Sequence, residues 1–295
     1  MTPAYGALIA QAQPTAQPWR VALGLGVIAA AYLAGMAALG AVIWLALGIE
    51  QLEMHLARVG AGADPLSVLL LLSTFLGGWA GLWLVMRFLH RRGMWSLFGR
   101  APVVLRDFVA GVLAMTVIGG LLTLAMAPML PPLTLTADTG LWLRLLPLAL
   151  LGVLIQTGAE EAVFRGYLQG HLAARFASPL VWLLVPMVLF GLAHVNPGEA
   201  GPLVWLVVAA TGLFGLIAGD LTARSGALGL AWGLHFANNV MVLLLVNVSG
   251  TLDGLALLRP PGADLPPQAM APLILADMAL LVVVWLGCRL WLRRR

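Results

Sequence analysis

LWLRLLPLALLGVLIQTGAEEA, residues 141–162, is an almost unbroken apolar run that closes on two adjacent carboxylates, Glu160 and Glu161. Long continuous runs, as opposed to short alternating ones, mark membrane-spanning helices, which need about 20 residues to cross a bilayer core. In lipid the backbone finds no hydrogen-bonding solvent, so a spanning piece must be a helix or part of a closed barrel. Seven further apolar stretches surround this one, at 21–49, 66–89, 104–130, 180–195, 202–219, 226–248 and 270–292. The fold class expected is therefore all-α, a polytopic integral membrane protein of about eight transmembrane helices. The stretches 180–195 and 202–219 are short, and are expected to tilt or to be buried by their neighbours.

Composition agrees. Of the 295 residues 61% are hydrophobic and 9% charged, where a soluble domain has about a quarter charged. Every one of the 16 basic residues is Arg; with abundant Ala, Leu and Gly this suggests a GC-rich bacterial source. The net charge of +4 does not mark a nucleic-acid surface, because the arginines gather at helix ends. With the N-terminus inside, only Arg58, Arg144 and Arg259 fall outside, and the positive-inside rule then puts both termini in the cytoplasm of a cell inner membrane. The single Cys288 cannot form an internal disulfide.

Four regions follow: an N-terminal tail (1–20), expected to be disordered over 1–18; helices one to three with their loops (21–140); a core of helices four to seven (141–248); and an outer loop, helix eight and a basic C-terminus (249–295). The loop 50–64 reads as an outer, partly amphipathic segment. The loop 250–268, with Pro260, Pro261, Pro266 and Pro267, also reads as outer. Pairs such as Gly77/Gly81, Gly215/Gly219 and Gly229/Gly233 would let helices approach closely.

An ionisable side chain inside a span costs about 2.5–3.5 kcal/mol on insertion scales, so each one asks for a reason. They concentrate in the core. Glu161 and Arg165 are four apart and can pair on one helix face. Glu160 projects about 100° away, able to face another helix and to take and return a proton. Phe190-Gly191-Leu192-Ala193-His194 closes the fifth stretch, so His194 could orient or share the water that Glu160 activates. His235 and Asn239, again four apart, offer two hydrogen-bond donors to one point. Asp277, in the last stretch, is expected to hydrogen-bond a neighbouring helix.

The ordered set EExxxR, FxxxH and HxxxN, on Glu160-Glu161-Arg165, Phe190-His194 and His235-Asn239, resembles the CAAX prenyl protease and bacteriocin-processing family, which includes the Ras-converting enzymes. The resemblance covers about 141–248. It implies peptide-bond hydrolysis inside an eight-helix membrane protein. Glu160 and His194 would activate water, His235 and Asn239 would stabilise the oxyanion, and Glu161 and Arg165 would support the site. The family has long been called metalloprotease, and Glu160, His194 and His235 could hold a catalytic zinc. A metal-free glutamate scheme is favoured, because Asn239 beside His235 suits an oxyanion hole better than a ligand set. The partners expected are a peptide or membrane-protein substrate and lipid. The alternatives are a non-catalytic scaffold or bacteriocin self-immunity protein of the same fold, and a transporter. Near-matches to other intramembrane proteases, at Leu252-Asp253-Gly254, Gly219-Asp220 and Ser225-Gly226, read as chance.

Overall fold

A computed structural model describes residues 2–126, 132–196, 200–248, 250–260 and 266–294. Residues 127–130 of the third apolar stretch, Pro261 and Arg295 lie outside the described residues.

The apolar runs all become helices. In chain order the elements are α1 (Pro3–Ala10), α2 (Pro18–Leu47), α3 (Ile49–Ala61), α4 (Pro65–Leu89), α5 (Ala101–Gly119), α6 (Thr139–Arg175), α7 (Pro179–Leu192), α8 (Gly201–Ser225), α9 (Gly229–Leu245) and α10 (Pro267–Arg293). The turn Gly120–Met126 prolongs α5. Six of the described helices, α2, α4, α5, α6, α8 and α10, are long and apolar enough to cross a membrane, and α7 and α9 are shorter apolar helices. The chain is a polytopic all-α membrane protein. Its surface is accordingly oily: Leu45, Leu124 and Trp205 are among many large apolar side chains left exposed, as lipid-facing residues should be.

Three expectations need correction. The N-terminal tail is not disordered: α1 docks through Tyr5, which is fully buried and packs on Trp182, while Thr2 Oγ1 donates to the Ala223 carbonyl. A helix this short gains its stability from such tertiary contact and not from propensity, so composition alone gave no sign of it. The sixth stretch is not short. It runs on to Ser225, because Asp220 and Arg224 pair at 2.8 Å one turn apart and neutralise each other on the helix. The outer loop 250–268 is not wholly irregular: part of it pairs with the connection before α6 as a small two-stranded ladder. β1 (Thr134–Leu135) and β2 (Leu258–Arg259) run antiparallel, with Thr134 opposite Arg259.

The fourth helix continues well past its carboxylates, to Arg175. From Ala162 to Gln169 it widens to π-type winding, a local loosening that often accompanies functional sites. Its polar residues there, Arg165, Gln169 and His171, are all buried within the protein.

Close helix approach holds the core together. On α9 a Cβ at Gly229 would lie 2.1 Å from the Val104 carbonyl oxygen, and one at Gly233 would lie 2.1 Å from that of Phe108. Only glycine lets α9 lie this near α5. That contact fixes the face of α9 carrying His235, one turn back from Asn239, against α6.

Candidate active site

The site grows from α6. Glu161 is fully buried and Arg165 nearly so; Arg165 Nη1 donates to Glu161 Oε1 at 3.0 Å along the helix. The guanidinium lies 4.4 Å from the Phe190 ring centre and 5.5 Å from that of Phe214, so α7 and α8 each supply an aromatic face to the cation. Glu161 Oε1 also accepts from Nδ1 of His235 at 2.8 Å, which reaches in from α9. That contact sets the imidazole: with Nδ1 tied to Glu161, Nε2 faces the other carboxylate, 3.5 Å from Glu160 Oε2. The Phe214 ring packs against His235 at 4.9 Å and holds its plane.

A second chain of contacts fixes the outer half. Gln156 Nε2 donates to Glu160 Oε1 at 2.8 Å, and Gln156 Oε1 accepts from Asn239 Nδ2 at 2.9 Å. One buried amide thus joins a glutamate of α6 to an amide of α9. Sequence reasoning passed over Gln156 because the search was for ionisable residues. The signal was present: Gln156 precedes Glu160 by four residues, the same spacing that pairs Glu161 with Arg165.

His194 stands at the end of α7. Its Nδ1 is 2.8 Å from the Phe190 carbonyl oxygen and its ring packs on Phe190. A carbonyl can only accept, so Nδ1 carries the hydrogen and Nε2 is left for the cavity. No direct hydrogen bond or ion pair joins His194 to Glu160. The two meet across open space, and with Gln156, His235 and Asn239 they line one cavity of about 850 Å³. Glu161 and Arg165 stand behind this wall.

The arrangement leaves specific polar atoms unspent. Glu160 Oε2, Glu161 Oε2 and Arg165 Nη2 are buried without a hydrogen-bond partner. Each normally demands one. Glu160 itself lines the cavity, so its carboxylate is within reach of something bound there.

A zinc held by Glu160, His194 and His235 does not fit the donors as placed. Among the described residues, no three His, Cys, Asp or Glu side chains are grouped to hold a metal ion. His235 spends Nδ1 on Glu161, and His194 lies across the cavity. The near-matches to other protease classes have structural partners instead. Asp220 is held by Arg224 and by Trp285 Nε1, Asp253 pairs with Arg259, and the Ser225 hydroxyl donates to the Ala227 carbonyl.

Residues 141–241, the helices just described, match the family model described as Rce1-like, type II CAAX prenyl endopeptidase Rce1-like. These residues are similar to that family. The match begins in α6 and ends two residues beyond Asn239, so the matched region contains all six of Glu160, Glu161, Arg165, His194, His235 and Asn239. YyaK of Bacillus subtilis (strain 168), described as an uncharacterized protein, is 30% identical over 118 residues, 40% of this chain and 39% of its own length. The chain thus aligns with about two fifths of that relative. No solved structure matches.

Proposed function

We propose that this protein is an intramembrane endopeptidase that hydrolyses a peptide bond with water activated by Glu160 and His194. The observation that carries the reading is the clasp on His235, whose two ring nitrogens face two carboxylates of one helix beside an apolar cavity. Glu161 is in turn held by Arg165, so the ring, the carboxylate and the guanidinium form one buried cluster behind the cavity wall.

The chemistry follows from these positions. A water in the cavity gives its proton to Glu160 Oε2, with His194 Nε2 orienting its lone pair toward the scissile carbonyl. Negative charge develops on the carbonyl oxygen. The Asn239 amide hydrogen not engaged by Gln156, with the His235 ring one turn away on the same helix, is the donor on hand to meet it. Glu160 then returns its proton to the departing amine. Glu161 and Arg165 do not touch substrate; they hold the His235 ring in place. No step is routed through a metal, because among the described residues no three His, Cys, Asp or Glu side chains are grouped to hold one.

The substrate is a peptide or the tail of a membrane protein, entering between helices from the lipid. The bacterial inner membrane, with both termini cytoplasmic, is the setting that the arginine distribution favours. The type II CAAX prenyl endopeptidase description of the family supports hydrolysis of peptides at a membrane, and a prenylated CAAX tail is not carried over to this chain. The test is cleavage of membrane-anchored peptide substrates by the purified protein in lipid nanodiscs. Glu160→Ala and His194→Ala should each lower kcat by at least about a hundredfold. Undiminished cleavage in both variants would end the proposal.

A further inference from the structure

The cavity contains one carboxylate that the hydrolytic scheme does not use. Asp277 sits in the middle of α10, where an ionisable group costs about 2.5–3.5 kcal/mol on insertion scales. The neighbouring helix was expected to hydrogen-bond it. No described residue does, and Asp277 instead lines the cavity that holds Glu160 and His194. Leu281, one turn further along α10, lines the same cavity and packs in the cluster of Phe190 and Phe214, the two rings that flank Arg165 and His235. Asp277 thus shares both a cavity and a helix face with a residue of the core cluster that holds Phe190 and Phe214.

The charge inventory of the wall gives the complement. Its ionisable members are Glu160, Asp277, His194, His235 and Tyr32, with no arginine among them. Glu160 is already engaged by Gln156 and faces His235. The surroundings are oily, with Ile28, Phe75, Leu189 and Val242 among them. Asp277 is exposed to this space, and a lone carboxylate beside an oily wall attracts a cation and a hydrogen-bond donor together.

Resting on the endopeptidase reading, we propose that Asp277 forms a cation subsite of this cavity, which takes a basic group of the peptide substrate while the apolar wall takes its neighbours. A lysine or arginine side chain and a free amino terminus present the same chemistry, and the test separates them.

The Glu160→Gln protein, in nanodiscs, is titrated with peptides that differ only in carrying lysine or its neutral near-isostere norleucine, each with a free or acetylated amino terminus. The lysine peptide is expected to bind about tenfold tighter than the norleucine peptide, the scale of one charge-assisted hydrogen bond. Asp277→Asn should bring that ratio close to one, and Asp277→Glu should keep most of it, which excludes a mere packing effect. If acetylation and not norleucine erases the preference, the basic group is the amino terminus. Equal binding of all four peptides, or a full preference surviving in Asp277→Asn, overturns the subsite. Because the assay reads binding, it is independent of cleavage. A cation preference in a protein that cleaves nothing would leave the subsite standing and the endopeptidase reading refuted; cleavage with no preference would do the reverse.

Discussion

Gln156 is the residue on which two halves of the site converge, since it donates to Glu160 and accepts from Asn239. Gln156→Ala should release both partners. The expected result is a kcat at least about tenfold lower, with KM and the unfolding temperature nearly unchanged, because the residue positions groups that act only in the transition state. Parallel loss of fold and activity would show a structural role instead. Arg165 behaves differently. Replacing it by Met leaves Glu161 as a buried carboxylate without its guanidinium, a loss of about 3–5 kcal/mol that thermal unfolding in detergent should register. Glu160, Glu161, Arg165, His194 and His235 were visible in the sequence because ionisable groups inside an oily run stand out, and Asn239 by its four-residue spacing from His235. Gln156 was not, since it carries no charge and belongs to none of the three motifs, and neither was the contact of His235 with Glu161. That grip depends on α9 approaching α6, and no single helix encodes the approach.

Among the elements, α9 depends most on what it lacks. A methyl group at Gly233 would meet the Phe108 carbonyl, and overpacking of this kind costs about 1–3 kcal/mol. Gly233→Ala should therefore lower both the unfolding temperature and the activity, since α5 can no longer press His235 toward α6. Intact activity at the wild-type unfolding temperature would contradict that account. The N-terminal segment is pinned at His90, whose ring nitrogens reach Thr15 Oγ1 at 2.9 Å and the Tyr167 hydroxyl at 3.0 Å. Burial, then the nearby charges of Arg92 and Arg20, push the His90 pKa down to about 4. The His171 ring, centred 4.4 Å away, crowds the same spot. An unfolded chain takes up this proton near pH 6.5 and the folded one only near 4. Stability should thus fall as pH drops from about 6.5 to about 4 and then level off, and His90→Gln should shrink the fall between pH 7 and pH 5. Apolar length made the spanning helices legible. The docked α1 and the β1–β2 ladder were illegible for one common reason. Each is too short to be stable by itself, and each exists because a distant segment, Trp182 for α1 and Arg259 for β1, supplies its partner.

For the molecule as a whole, the arginine distribution predicts sidedness. With Cys288 replaced by Ser, an accessible thiol from Gly93→Cys should react only from the cytoplasmic face, and one from Gln51→Cys only from the opposite face. Both residues are exposed, and labelling of intact cells with an impermeant maleimide reads the outcome. The reverse pattern would invert the orientation. Activity in nanodiscs should also survive prolonged dialysis against a strong chelator, because among the described residues no three His, Cys, Asp or Glu side chains are grouped to hold a metal ion. Loss of activity restored by zinc alone would replace the water-activation scheme with a metal-assisted one.

Glu161 finds its guanidinium on its own helix, whereas the imidazole it also grips arrives 74 residues later in the chain. During synthesis α6 must therefore partition into lipid before α9 has left the ribosome. It can do so because its deepest ion pair is already closed, as a nearly neutral rod. Had the arginine been carried by a later span, the glutamate would have had to wait unpaired in hydrocarbon, and the nascent protein would have been exposed to quality-control proteases throughout that interval.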